Sequence, residues 1–212
     1  MNDNVAGTGT STLGAVEIVT DGYDIIGTCR GLNERLRLID LLKNPEVTHL
    51  QLADAKVRHL QSAAEIVDGA GPFFIDKGSV IVGRSLASPE EEARRDDMHR
   101  FDDVEKAEQR MLVFAPPFRV VGDIHIIKDA DLTIVLPKLF EGFQGMTGAA
   151  VSGEGENSLH WDSGFVVVNG RHIDMVCVVP PGYQIGLAGA GLSRDRVERA
   201  ADETPAPPAT IS

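Results

Sequence analysis

The chain has 212 residues, and its 32 acidic and 20 basic side chains give it a net charge of −12 at pH 7. This length fits one domain or two small ones, and a composition of 42% hydrophobic and 25% charged residues is globular. An acidic chain repels phosphate, and proteins that bind nucleic acids usually carry a basic face. The charge balance therefore argues against nucleic acid as a partner.

No segment predicts a membrane helix or a secretory signal. The longest apolar runs, such as residues 175–179, are far shorter than the roughly 20 residues that a membrane helix needs. Residues 1–14 lack the basic start and the apolar core of a signal peptide, and we predict a flexible leader there. The two cysteines, Cys29 and Cys177, are then expected to stay reduced. These features predict a cytoplasmic protein with no membrane partner.

The sequence repeats itself at an offset of 93 to 95 residues. Three blocks keep their order and nearly the same offset: residues 19–30 with 114–125, residues 53–57 with 148–151, and residues 73–82 with 166–175. The first pair of blocks places an aromatic residue at Tyr23 and Phe118 and a glycine at Gly27 and Gly122. Because a fixed period is the mark of a repeated structural unit, the sequence predicts two copies of one unit.

The first unit begins with strands. Residues 16–19 and 23–29 are β-branched runs joined by Asp21-Gly22, which is a strong hairpin signal. Residues 36–43 then show the apolar spacing of a short helix, and residues 49–57 form the next predicted strand. The first unit is therefore expected to be mainly β with one helical turn.

The second unit follows the same scheme with one change. Its counterpart of the helix, residues 132–143, contains Pro137, so the helix there is expected to be shorter or to begin at the proline. A strand at residues 146–151 follows, and we predict that each unit ends in a closing hairpin, over residues 73–82 and 166–175. Units this small cannot bury both faces of a sheet, so we expect the copies to pack on each other or on further subunits.

The predicted fold class is thus mainly β (α+β), with two tandem related units joined by a charged helix. The chain divides into a flexible leader (1–14), a first β-rich repeat (15–86), a helical connector (87–110), a second β-rich repeat (111–192) and a disordered tail (193–212). The connector begins with Ser88-Pro89, a helix start, and carries nine acids against five bases. The tail has few large apolar residues and three prolines in four positions from Pro205, as disordered segments do.

Familiar catalytic motifs are missing from the sequence. It contains no GxxxxGK[ST] phosphate loop, no GxGxxG after a strand, and no HExxH, GxSxG or CxxC. The sequence therefore predicts no cofactor and no enzyme class.

The best candidate binding cluster lies in the second repeat. It combines a predicted loop with the closing hairpin, and its members are His160, Trp161, Asp162, Arg171, His172 and Asp174, with Cys177 close by in sequence. His172 and Asp174 would share one face of a strand, and both are metal-ligand types. Three or four ligands at a characteristic spacing cannot be assembled, so ordinary turn residues are the simpler interpretation. Trp161 either anchors a recognition loop or covers an edge of the core.

The pattern resembles a family of uncharacterised small bacterial domains. In that family a strand pair ending in I-x-G precedes an R-L-x-x-x-L segment, a strand ending in D-A-x-V and a V-N-x-x-x-I hairpin. The first repeat supplies residues 25–27, 35–42 and 53–57, the second supplies residues 168–173, and each repeat lacks part of the pattern. The resemblance implies a strand-rich fold and carries no activity. The scheme also looks like Sm-type and SH3-type small barrels, which is an analogy of fold.

Four functions are compatible with these features. The leading hypothesis is a non-enzymatic protein-interaction or assembly module that docks a protein partner, or itself, at exposed strand edges. The alternatives are a small-molecule sensor or carrier with a pocket between the repeats, and a metal-dependent enzyme that uses the candidate cluster. Nucleic-acid binding rests on the Sm analogy alone and would need a basic face built from Arg30, Arg35, Arg37, Lys56 and Arg58.

Overall fold

The structure is a computed structural model that describes residues 14–32, 36–62, 64–68, 71–87, 105–153 and 159–185. Within these ranges the chain is mainly β, as the sequence predicts, and its strands form one antiparallel sheet. The strands are β1 (Ala15–Val19), β2 (Tyr23–Cys29), β3 (His49–His59), β4 (Glu65–Asp68), β5 (Phe73–Asp76), β6 (Val82–Ser85), β7 (Lys106–Ala115), β8 (Phe118–Ile127), β9 (Phe143–Gly153), β10 (His160–Asn169) and β11 (Met175–Val178). The predicted leader apart from Gly14, most of the connector, and the tail lie outside the described residues.

Two halves of the chain occupy two halves of the sheet. The strands lie in the order β11-β7-β8-β9-β10-β6-β1-β2-β3-β4, and β5 pairs with the other end of β3. We call residues 15–85 the first segment and residues 106–178 the second segment. The segments meet where β10 pairs with β6, through Val167 opposite Gly83 and Val168 opposite Val82.

The analogy with closed small barrels is wrong, because the sheet is open. A barrel in the second segment would need β10 to pair with β11. Instead β10 pairs with β6 of the first segment, and β11 pairs with β7. The strand edge that could close the second segment is therefore used to join the two segments.

The predicted closing hairpins are also wrong. In the first segment β5 pairs with β3, whereas β6 pairs with β1 and β10. A single 3₁₀ turn, Lys77–Ser79, separates the two strands and carries the chain to the other edge of its segment. The 3₁₀ turn Gly170–His172 separates β10 from β11 in the same way. The polar turns that suggested hairpins are thus crossings between strands that do not pair.

The predicted connector helix does not extend to Arg110. Strand β7 begins at Lys106 and pairs with β8 along its whole length, with Arg110 opposite Asp123. Lys106–Arg110 has helix-favouring side chains, but the long β8 partner offers a full ladder of backbone hydrogen bonds and overrides that local preference. The second segment therefore begins before residue 111.

The helices are short and lie between the second and third strands of each segment. Helix α1 (Leu38–Lys43) buries four apolar side chains, and at its start the backbone N–H of Arg37 donates to the Asp40 carboxylate over 3.2 Å. Helix α2 (Leu132–Val135) is a single turn that continues as the 3₁₀ helix Leu136–Phe140, with Pro137 at its start. The shortening expected from the proline is therefore seen. None of the helices in the described ranges has the length and apolar character that crossing a bilayer requires.

The hydrophobic core crosses the boundary between the segments. One cluster is built mainly from β7 to β10 and also contains Val19, Ile81 and Val82 of the first segment. The other is built mainly from α1 and the strands of the first segment, and it takes in Phe143 and Val167 from the second. Each segment therefore completes the core of the other, and the described chain packs as one body.

Candidate functional site

The candidate cluster predicted from the sequence is split into two groups. His160, Trp161 and Asp162 form the start of strand β10 and not a loop. Arg171 and His172 lie in the 3₁₀ turn after the other end of that strand. The ten residues of β10 place the groups about 30 Å apart, at ~3.3 Å per residue. They cannot act on one small ligand.

The proposed pairing of His172 with Asp174 on one strand face is also wrong, because neither residue belongs to a strand. The imidazole Nε2 of His172 lies 2.8 Å from the Gly78 carbonyl oxygen and so connects the two 3₁₀ turns. In the part of the chain that the structure describes, no three His, Cys, Asp or Glu side chains are grouped closely enough to hold a metal ion.

Trp161 is buried at the junction of the two segments. Its side chain is 3% exposed, and its indole N–H donates to Oε1 of Glu17 over 3.2 Å. The guanidinium of Arg84 lies over the indole ring, 4.5 Å from its centre, and its Nε donates to Oε2 of Glu17 over 2.7 Å. Three side chains from β10, β6 and β1 are thus joined by charge-assisted hydrogen bonds and a cation–π contact.

A second buried carboxylate continues this row across the sheet. Asp24 on β2 is buried and forms an ion pair with Arg58 on β3 through Oδ2, while its Oδ1 has no hydrogen-bond partner among the described residues. Burial raises the pKa of Glu17, Arg84 opposes that rise, and the nearby Asp24 carboxylate adds to it. We call these five side chains the polar row; from one end to the other they are Trp161, Arg84, Glu17, Asp24 and Arg58.

Nucleic-acid binding would need a basic face, and acidic side chains lie beside some of its candidate bases. Arg58 is held by Asp24, and Arg37 is held by Asp40 at 3.0 Å. Arg35 lies outside the described residues. Two of the five bases are thus neutralised by acids beside them.

The cysteines take different environments. Cys29 is buried, and burial raises the pKa of its thiol to about 11, so it is neutral and unreactive. Cys177 is half-buried on β11, opposite Leu112. Both are free thiols.

Two clefts lie near the separated groups. A cleft of about 450 Å³ is lined from both segments, and its charged side chains include Lys43, Lys77, Arg171 and Glu141. A more polar cleft of about 620 Å³ lies along the start of β10, lined in part by His160, Asp162 and Arg110. Each half of the predicted cluster thus borders a different cleft.

The two ends of the sheet carry exposed apolar side chains. At one end, Phe74 on β5 is 66% exposed and Ile66 on β4 is also exposed. At the other end, Met175 on β11 is 48% exposed, and Val178 on the same strand is exposed. In the described ranges β5 pairs only with β3 and β11 only with β7, so each presents one unpaired backbone edge. Such edges are ready templates for another strand.

Sequence reasoning missed most of these residues. Glu17 and Asp24 each interrupt a β-branched run, and a charged residue inside such a run is a signal of a buried ion pair. The adjacent Phe73 and Phe74 signal a strand with apolar residues on both faces. Arg84 carried no signal of its own, and Arg58 was named only as part of a possible basic face.

Comparisons of the chain with protein-family models, with curated proteins and with solved structures gave no match. Its function is therefore argued from the junction, the clefts and the sheet edges themselves.

We predict that Trp161→Phe destabilises the junction by about 1–3 kcal/mol, because buried Glu17 loses a hydrogen-bond donor. Urea unfolding of Trp161→Phe, Glu17→Gln and the double variant measures the coupling between the two side chains. A coupling energy of about 0.5 kcal/mol or more is expected for side chains in contact. Strictly additive effects would show that the hydrogen bond contributes nothing to stability.

The raised pKa of Glu17 predicts a pH dependence. A carboxyl group whose pKa is higher in the folded state binds its proton more tightly when folded, so its contribution to stability falls as pH rises above the ordinary value of 4.5. The free energy of unfolding of the natural protein, relative to Glu17→Gln, should therefore decrease from pH 4.5 to neutrality. Ionisable groups remote from Glu17 titrate alike in both proteins and cancel in this difference. A difference that is flat or increases with pH would contradict the assignment.

Proposed function

We propose that this chain is a non-enzymatic protein-interaction and assembly module, built from two tandem copies of one strand-rich unit, whose open sheet edges accept a further strand. The observation that carries the proposal is the β10–β6 junction, where the edge of one segment is completed by the edge of the other. The same kinds of edge stand unpaired at the two ends of the sheet.

The connections support the tandem interpretation. The first segment has the strand order β6-β1-β2-β3 and then β4 and β5, and the second has the order β11-β7-β8-β9-β10. Apart from β4, which has no separate counterpart, the pairings are the same in the same chain order. A short helix follows the second strand, and a 3₁₀ turn precedes the last strand, in both segments.

Register shifts at matching positions of the two segments also support the tandem interpretation. The register of β2 with β3 shifts at Gly27, and the register of β8 with β9 shifts at Gly122, which is 95 residues later. A Cβ at Gly27 would lie 3.0 Å from the Ala53 oxygen, and one at Gly122 would lie 3.1 Å from the Thr147 oxygen. Asp54, which follows Ala53, and Gly148, which follows Thr147, both have a φ of 50°. Bulges are individual features of a fold, so their coincidence favours a common unit.

Exposed apolar edges support an interaction role. Soluble proteins usually protect the edge strands of a sheet with charges, prolines or covering segments, because a bare edge pairs with other chains. Here Phe74 and Met175 occupy the middle of one edge and the start of the other. Strand addition joins main-chain hydrogen bonds to side-chain contacts of this kind.

A second candidate function, a small-molecule carrier or sensor, is favoured by the 450 Å³ cleft between the segments. Its size lies in the usual range for ligand sites, and three basic side chains against one acidic side chain favour an anionic ligand. Inorganic phosphate and nucleoside monophosphates are the first probes. We expect them to raise the melting temperature of the natural protein and of Lys128→Ala, whose lysine lies outside the cleft, but not that of Arg171→Ala. Equal shifts in all three proteins would contradict this function.

The assembly function predicts that association depends on the exposed edge. Phe74→Arg should weaken self-association, or recovery of a co-purifying protein, by roughly tenfold or more, as the loss of a central apolar contact does. Ile134→Arg is the matched control, because it adds the same charge at an equally exposed apolar residue that lies in α2 and in neither edge strand. Sedimentation velocity and affinity purification measure the two kinds of association. A strict monomer that retains no protein in an edge-dependent manner would contradict the proposal.

A further inference from the structure

We infer that the strand accepted at each edge comes from a second copy of this chain, joined head to tail, with β11 of one copy pairing antiparallel with β5 of the next. In this arrangement Phe74 lies opposite Val176 of the next copy, and Ile75 lies opposite Met175. The inference rests on the proposed function, because it names the partner for the same two edges.

The register comes from the junction inside the chain. There the fourth strand of the second segment, β10, pairs with the last strand of the first segment, β6, with Val167 opposite Gly83 and Val168 opposite Val82. Both strands have counterparts at an offset of 93 residues, since the 3₁₀ turns and the last strands of the two segments are spaced by that number. The counterpart of β10 is β5 and that of β6 is β11, and within the described ranges each of these strands has one side without a paired strand.

Burial at the counterpart positions fits a missing neighbour. At the junction Val167 and Val82 are fully buried. Their counterparts, Phe74 and Met175, are 66% and 48% exposed although they are larger apolar side chains. A second copy docked in the same register as the junction covers both side chains. Their exposed apolar surface is the area that association would remove from water.

The contact between copies is expected to be weaker than the internal junction. The amide of Asn169 donates to the Val80 carbonyl over 2.9 Å at the junction, whereas its counterpart Asp76 has a carboxylate, which cannot donate. The counterparts of Glu17 and Arg84 are Leu112 and Cys177, so the polar row is not repeated either. Association should therefore be reversible and depend on concentration.

The two edges differ, so the contact is heterologous. A heterologous contact adds copies in one direction until the assembly closes into a ring or grows as a filament. This distinguishes it from a twofold contact in which one edge pairs with its own copy.

Mixing two blocked variants tests the inference. Phe74→Arg blocks the β5 edge and leaves β11 free, and Met175→Arg blocks β11 and leaves β5 free. By sedimentation velocity the natural protein and Ile134→Arg should form growing oligomers with concentration, while each blocked variant alone should be monomeric. An equimolar mixture of the two should give dimers and nothing larger, because one pair of edges remains complementary. Unchanged melting by circular dichroism confirms that both variants are folded.

The outcomes separate the inference from the proposed function. If the natural protein is monomeric but retains another protein through Phe74, the interaction function stands and the second-copy inference is overturned. If it self-associates but the two blocked variants do not combine, the contact is not head to tail, and the inference is again overturned. If association in every form is absent or insensitive to both edges, the proposed function fails with it.

Discussion

The backbone pairing of β10 with β6 is the constraint on which the rest of the structure depends. Buried peptide groups must find hydrogen-bond partners, and Val82, Val167 and Val168 lie in strands that the core covers. Neither segment could satisfy these groups by itself without closing its sheet. By pairing with each other, the segments merge two small sheets into one and let each core take apolar side chains from the other. The pairing also leaves the sheet open.

The polar row gives this pairing a definite register. A slip by one residue would turn every side chain of a strand to the opposite face of the sheet. A slip of β10 against β6 would remove Trp161 from Glu17 and leave that buried carboxylate with one hydrogen-bond donor fewer. Losing a donor to a buried polar group costs about 1–3 kcal/mol, so the row penalises wrong registers. Apolar contacts between valines alone would discriminate much less between registers.

The sequence predicted local features better than distant ones. The turn at Asp21-Gly22, the helix α1 and the shortening at Pro137 follow from residue preferences within a few positions. The polar row could not be predicted, because Glu17 lies 67 residues from Arg84 and 144 from Trp161, and only the sheet order brings them together. The same limit explains the two wrong hairpins, since a polar turn between apolar runs looks alike whether or not the runs pair. The prediction that the helix extends to Arg110 was wrong for the opposite reason. The local preference of Lys106–Arg110 for helix was overridden by pairing with β8.

Joining the two segments by unlike edges has a consequence for any larger assembly. Each segment has one outer strand at the β6 or β11 position and another at the β5 or β10 position, and the β10–β6 junction uses one of each. A linear array of the proposed kind therefore always ends in two bare edges, however many copies it contains. In this chain those ends hold Phe74 and Met175 in contact with water. Adding copies in a line moves this exposed surface to the new ends without removing it. Every edge strand is paired only in a closed ring, or when a different protein binds at each end.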